Sequence, residues 1–454
     1  MMRAIPHPES EAAADAVRPT RAAWIALLWM AAANVFATLD RNGFVVLLEP
    51  MKLDLKATDT EMGFLAGMAF VAFNFLFGIP ISRLVDVGVR RTILAASVIA
   101  WSIVTGFCSL AASVLQMGFA RAGLGVAETA GVPACLSMIA DYFPRASRHR
   151  AVAVFQSLGL LAPVLGVPVI ALLSGRYGWR TAIFVPGVIG LLLGLAIWIF
   201  LQEPLRGRFD SEPANATKAP FREMLEMVFA NKSLVCVLAS HTFAAAAIGV
   251  IVTWIGPLVI RVHGFSMAAF GTLVVGVNVF VVMGSLASGW ICSSLVARKG
   301  DDRWVVGFSA AACLLAFPLS IAWLNATATG FFLVLYILAQ VIAYSRIAPT
   351  LTLSSDLSPG RARGLTASLM IGGANLVGSG LAPMLTGMIS DRLSHTRGAA
   401  EGLRLALLYT IPLYQVMAGV FALLALAFMR RAPAAAAGRQ YMKGGKLHKA
   451  EEIG

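Results

Sequence analysis

Five ionisable side chains, Asp40, Arg41, Arg121, Glu128 and Arg346, fall inside long apolar runs of a 454-residue chain. A charged group in hydrocarbon is costly unless paired or hydrated, so each is a candidate functional residue by default. Depth follows from a rise of about 1.5 Å per residue. If the first run crosses outward and ends near Leu48, Asp40 and Arg41 lie roughly 10 to 12 Å below the outer boundary. The fourth run crosses inward from about Val114, which places Arg121 roughly 10 Å deep, level with Asp40, and Glu128 about 21 Å deep. Arg121 and Glu128 share a helix face, since seven residues is close to two turns. Glu128 reaches Arg41 only if that long side chain points inward. Arg346 lies about 15 Å from the inner face, in the second half of the chain.

A carboxyl near the midplane can load and release a proton as its hydration and cationic partners change. Glu128 is therefore the leading proton-coupling candidate, with Asp40, Arg41 and Arg121 as partners. Arg41, Arg121, Glu128 and Arg346 are also candidate substrate ligands, Arg346 as a cation for an anionic head group. The competing structural reading makes Asp40, Arg41 and Arg121 a fixed ion-pair network tethering spans 1 and 4, and Arg346 a buried bond between helices. Weaker polar marks are Asn34 and Thr38, which share the face of Arg41, and Asn74, Gln156, His241, Asn278, Gln340, Tyr344 and Asn375. Of these, Asn34, Thr38, His241, Tyr344, Asn278 and Asn375 are taken as candidate cavity ligands. The plainer reading of each is an interhelical hydrogen bond worth under about 2 kcal/mol. Phe64, Phe70, Phe73, Phe75 and Phe77 read as lipid-facing or packing residues. Gly63 and Gly67, four apart, mark a close helix approach.

The elements that must position these groups follow from composition. The chain is 58% hydrophobic and 13% charged, with a mean hydropathy of +0.79, which excludes a soluble globular protein. At about 20 residues per crossing, twelve spans fall near 22–48, 60–85, 91–112, 114–142, 149–175, 180–202, 232–260, 266–297, 303–324, 329–356, 362–391 and 402–430. A net charge of +13 would suggest nucleic acid in a soluble chain, but here it reports orientation. With both termini and the even-to-odd connections inside, 25 of the 36 Lys and Arg are cytoplasmic and 8 are outside. Residues 1–21 and 432–454 read as tails, the second resembling an expression remnant, and 203–231 as a cytoplasmic linker between halves at 22–202 and 232–431. The five cysteines lie in apolar spans without paired spacing, so neither a disulfide framework nor a metal site is expected. The ratio of 28 Arg to 8 Lys hints at a GC-rich bacterium and hence an inner membrane.

Asp141-Tyr-Phe-Pro144 closes span 4 and Asp356-Leu-Ser-Pro359 closes span 10, an offset of 215 residues. Six-span duplication is the simplest account, and parallel six-span halves are the arrangement of major facilitator transporters. The loop between spans 2 and 3 carries Ser82, Asp86, Arg90 and Arg91, and Gly178-Trp179-Arg180 leads into span 6. With Leu39-Asp40-Arg41-Asn42, Val46-Leu-Leu-Glu-Pro50, Gly63-Phe-Leu-Ala-Gly67, Gly78-Ile-Pro80 and Glu128, the first half resembles the Spinster-like branch of the major facilitator superfamily. Ser82 stands where that superfamily usually has glycine, and the second half matches only as a generic transporter half.

The resemblance implies an all-α membrane protein of twelve helices in two halves, a secondary transporter rather than an enzyme. It implies alternating access, driven by a proton gradient without a cofactor, and an amphipathic or anionic small molecule such as a lysolipid or sphingoid phosphate. The expected partners are that substrate, a proton and membrane lipid around a monomer, with no nucleic acid. Asp86 is expected to face the positive start of span 11 near 361–364, and Arg90 or Arg91 to reach Asp141, with Asp356 as the second-half equivalent. Together these would form a cytoplasmic gate, made only when the halves close inside. Competing readings are a drug or organic-anion porter of another branch, an intramembrane enzyme, and a channel or receptor. No His-Glu-x-x-His, Gly-x-Ser-x-Gly or phosphate-loop motif supports the enzyme. Ala162-Pro163 with Gly159 and Gly166 only partly matches the Gly-Pro motif of drug porters.

Overall fold

A computed structural model describes residues 19–209, 221–299, 301, 303–359 and 362–431. Of the tails expected at 1–21 and 432–454, residues 1–18 and 432–454 lie outside the described residues, as does the middle of the linker, while Arg21 already begins span 1. Span 1 is Arg21–Val46, span 2 is 59–87, span 3 is Arg90–Leu110 and span 4 is 114–142. Spans 7 to 12 are Lys232–His263, Met267–Lys299, Arg303–Leu324, 329–356, 363–397 and Ala399–Arg431. Spans 5 and 6 form one run, Arg145–Phe200. Its candidate membrane stretch of 51 residues is about 76 Å long at about 1.5 Å per residue, more than twice the ~30 Å hydrocarbon core. It is two crossings folded at Gly178, whose φ of +84° is open to glycine and strained for other residues.

Helix starts follow the capping residues. Thr20 accepts from Ala23 N, Ser113 from Gln116 N and Asn231 from Leu234 N. Thr58 and Glu61 form a reciprocal capping box at the start of span 2. Apolar residues such as Leu76, Leu115, Phe119 and Trp290 stay exposed, as a lipid-facing surface requires. The chain is an integral membrane protein.

Within the first half, span 1 packs on span 5 and span 3 on span 6; within the second, span 12 packs on spans 7, 9 and 11. The halves meet along two seams, span 2 with span 11 and span 5 with span 8. Spans 2 and 11 both carry a π-helical segment, Phe64–Met68 and Ala374–Leu381, where they face each other. A Cβ on Gly67 would lie 1.7 Å from Ser379 O, and one on Gly63 2.7 Å from Pro383 O, so the expected close approach falls on this seam.

The outer end of the seam is bound by charge. Arg261, at the end of span 7, donates to Glu49 (2.6–2.9 Å) and to Asp59 (2.9–3.0 Å) in the other half. Lys52 and Ser390 also donate to Asp59, each at 2.6 Å. Asp391, near the end of span 11, accepts from the backbone N–H of Asp59 and Thr60 at 2.8 and 2.7 Å. A carboxylate of one half thus caps a helix start of the other.

The inner end is different. Arg90 pairs with Asp141 and, at 2.8 Å, with Glu203, and donates to Ser137 and to Pro204 O. Arg91 binds Glu203 through its backbone N–H at 2.7 Å. Arg90, Arg91, Ser137 and Asp141 belong to the first half, and Glu203 and Pro204 to the linker directly after span 6, so the contact of Arg90 with Asp141 does not report closure between halves, and the expectation that it forms only on inner closure is corrected. It staples spans 3, 4 and 6 together. Asp86 and Asp356 are exposed and, among the described residues, reach no partner in the opposite half. The outer end is tied across the halves by charge, and the inner-end ion pairs of Arg90 with Asp141 and Glu203 do not join the halves.

Candidate functional site

Two spans break near mid-membrane. Span 4 is helical over Val114–Glu128 and again over Gly131–Tyr142, and span 10 over Thr329–Ser345 and again over Ile347–Asp356. Glu128 ends the first segment of span 4, and Arg346 sits at the break in span 10. Interrupted helices at the repeat interface are where transporters of this kind build their binding sites.

Between the halves lies a cavity of about 580 Å³ whose lining includes Arg41, Asn42, Asn74, Arg121, His241, Thr253, Arg346, Asn375 and Ser379. Of the expected ligands, Arg41, Arg121, Arg346, His241 and Asn375 come together here. Among the described lining residues the ionisable groups are three arginines and one histidine, with no carboxylate. Arg346 is 2% exposed and donates to Ser309 Oγ at 3.0 Å and Ser240 Oγ at 3.4 Å. Arg121 donates to Leu65 O at 3.1 Å and Ala66 O at 3.4 Å and lies 4.1 Å from the Phe44 ring centroid and 5.3 Å from that of Phe70. These neutral partners hold the guanidinium without neutralising it. Phe70 and Phe75 therefore line the cavity and are not only lipid-facing or packing residues.

Arg41 points inward and pairs with Glu128, the geometry that its side-chain length permitted. The Glu128 side chain is 8% exposed, and its Oε2 has no hydrogen-bond donor among the described residues. Glu128 lies behind Arg41, on a small void with Asn34 and Phe155 rather than on the cavity. Asn34 donates to Phe155 O, and Thr38 accepts from Arg41 at 3.4 Å. Thr38 supports Arg41 and Asn34 ties span 1 to span 5, and neither lines the cavity. Asp40 accepts from Thr105 at 3.1 Å and makes no ion pair within 4 Å among the described residues, so the fixed network of Asp40, Arg41 and Arg121 in the competing structural reading is not formed. Asn278 and Tyr344 line a side chamber, not the main cavity.

The outer cluster of Glu49, Lys52, Asp59, Arg261 and Asp391 was missed by sequence reasoning. Its one legible sign was the concentration of carboxylates in the first outer loop, Glu49, Asp54, Asp59 and Glu61.

Residues 30–339 match the Major Facilitator Superfamily, and the chain belongs to that family. It is a transporter, not an enzyme. It is 27% identical over 414 residues to an MFS-type efflux pump of Mycolicibacterium smegmatis, covering 90% of this chain and 94% of that protein. It is 25% identical over 417 residues to a D-galactonate transporter of Escherichia coli, covering 86% and 93%. Among solved structures it is similar to a bacterial homologue of the human lysosomal transporter Spinster in an inward-facing, unoccupied conformation. That match has a TM-score of 0.78 and 23% identity and covers 90% of this chain and 97% of the other.

Proposed function

We propose that this transporter belongs to the Spinster-like branch and moves an organic anion with an apolar part by alternating access, coupled to a proton through Glu128. The observation that carries the reading is the cavity charge: Arg41, Arg121, Arg346 and His241 face the space, and no described carboxylate does. A lysolipid or sphingoid phosphate is the long-chain member of this class; the similarity to a galactonate transporter adds compact organic acids. Arg41 is one cation between two anions. A bound substrate anion competes with Glu128 for it, and the carboxylate left without its partner takes up a proton on the buried oxygen that has no donor. Substrate and proton then cross together. The expected setting is a bacterial inner membrane, with a monomer whose termini face the cytoplasm.

Proteoliposome transport with an imposed pH gradient tests this. Sugar acids, aryl carboxylates and lysolipids are compared with uncharged analogues. Anions should accumulate, and Glu128→Gln should preserve exchange while abolishing gradient-driven accumulation. If Glu128→Gln still concentrates substrate as the wild type does, Glu128 is structural and Asp40 and His241 are next in line. The competing reading, a drug porter of another branch, draws on the similarity to an efflux pump. Equal transport of neutral or cationic compounds would favour it.

A further inference from the structure

We infer that a side chamber at the seam of spans 5 and 8 is a second subsite, taking the apolar body of a small organic anion and recognising a hydrogen-bond donor beyond it through Gln340. This rests on the anion reading of the main cavity and specifies which anions. The chamber has a volume of about 110 Å³ and shares Asn42, Val45 and Val252 with the main cavity, so the two spaces adjoin. Its walls come from both halves and are mostly apolar, with Pro163 and Val167 on one side and Phe270, Val277 and Tyr336 on the other, beside the polar Asn278 and Tyr344.

Gln340 is the polar feature of this chamber that is left incomplete. It is 3% exposed, its Nε2 donates to Tyr336 Oη at 3.1 Å, and its Oε1 has no donor among the described residues. A buried amide oxygen without a donor costs about 1 to 3 kcal/mol, and a ligand O–H or N–H removes that cost where an ether or a methyl group does not. Sites that present a buried polar group reject analogues lacking its partner. Volume sets the other limit. The chamber is somewhat smaller than the ~150 Å³ apolar cavity that admits benzene, so it suits one ring or a short alkyl group, not a lipid chain. The class is therefore a small aryl or short-chain carboxylate or phosphate bearing a distal hydroxyl or N–H.

Titration calorimetry on the full-length protein tests the subsite with a phenol-carboxylate series, 4-hydroxybenzoate, 4-hydroxyphenylacetate and 4-hydroxyphenylpropionate, against their methyl ethers. Galactonate, which has no apolar body, reports on the anion site alone, and a lysophosphatidate tests chain length. At least one phenol should bind about tenfold more tightly than its ether, and Gln340→Leu should bring that ratio close to one without weakening the ether. Val277→Trp, which fills the chamber, should weaken the aryl acids at least tenfold and leave galactonate unchanged. Should Gln340→Leu fail to fold, Gln340→Met and Val277→Trp carry the test. The subsite is overturned if the phenol preference is absent or survives loss of Gln340, if Val277→Trp leaves aryl acids unaffected, or if the lysophosphatidate competes through the filled chamber. Galactonate binding with any of these results leaves the anion reading intact; if no anion binds, both fall.

Discussion

The outer and inner ends of the molecule use the same chemistry for opposite purposes. At each end an arginine holds two carboxylates, Arg261 with Glu49 and Asp59 outside and Arg90 with Asp141 and Glu203 inside. Both arginines are buried, with side chains 8% and 2% exposed. The difference is which bodies they join. The outer cluster links the two halves, so it must break for the outside to open; the inner cluster joins the first half to the start of the linker after span 6 and can persist through the cycle. A buried ion pair is a gate only if its partners move apart, and burial and charge alone do not distinguish the two.

Arg261→Ala should have the largest effect on conformation. It leaves the buried Glu49 without its cation and Asp59 with Lys52 alone, and breaking a buried pair this way costs about 3 to 5 kcal/mol. The cost falls on the outer-closed state, so distances between spin labels on the outer ends of spans 2 and 11 should lengthen for most molecules. An unchanged distribution would make the outer cluster a static staple. Arg90→Ala removes the cation from Asp141 and Glu203, but within the first half and the start of the linker, and the N–H groups of Gly207 and Arg91 still bind the two carboxylates. It should lower thermal stability while leaving the distance distribution unchanged, and a conformational shift would erase the distinction between the two ends.

Smaller effects sharpen the comparison. Asp391→Asn keeps one acceptor for the two backbone N–H groups of span 2 but loses the charge at a helix start, at about 1 kcal/mol. Outer-closed molecules should fall by roughly fivefold relative to outer-open ones, and Asp391→Ala should exceed this. Asp86→Asn should have the smallest effect in the arrangement described, because its partner is expected at the start of span 11 when the inside closes. By weakening that state about 1 kcal/mol, it should move the population further toward inward-facing. Inner-end label distances that do not change would leave Asp86 as topology signal alone. Asp391 and Asp86 would then not be reciprocal caps on one antiparallel pair of spans.

Much of this could be read from residue order. Hydropathy placed the spans within a few residues, and Gly178 marked the fold between spans 5 and 6. Depth counting put Arg41 within reach of Glu128, and the Arg90 to Asp141 contact was anticipated, though its meaning was not. The roles of Thr38, Asn278 and Tyr344 were not legible, because helical spacing gives a face without saying whether that face looks into the cavity, a side chamber or a neighbouring helix. Phe70 reads from the sequence as lipid-facing or packing, since its contact with Arg121 joins span 2 to span 4 and has no local signature.

What the sequence determined by itself was local and additive: an apolar run is long enough to cross or it is not, and the distribution of lysine and arginine biases which way it crosses. The tertiary structure alone decided which charges meet. Glu49 and Arg261 are 212 residues apart, and Thr60 and Asp391 are 331 apart. Their pairing depends on how two separately folded halves dock, through glycine-lined contacts between spans 2 and 11. Hydrophobic burial sets no such register inside a membrane, where lipid tails are as apolar as the helices; close packing and these few polar contacts do.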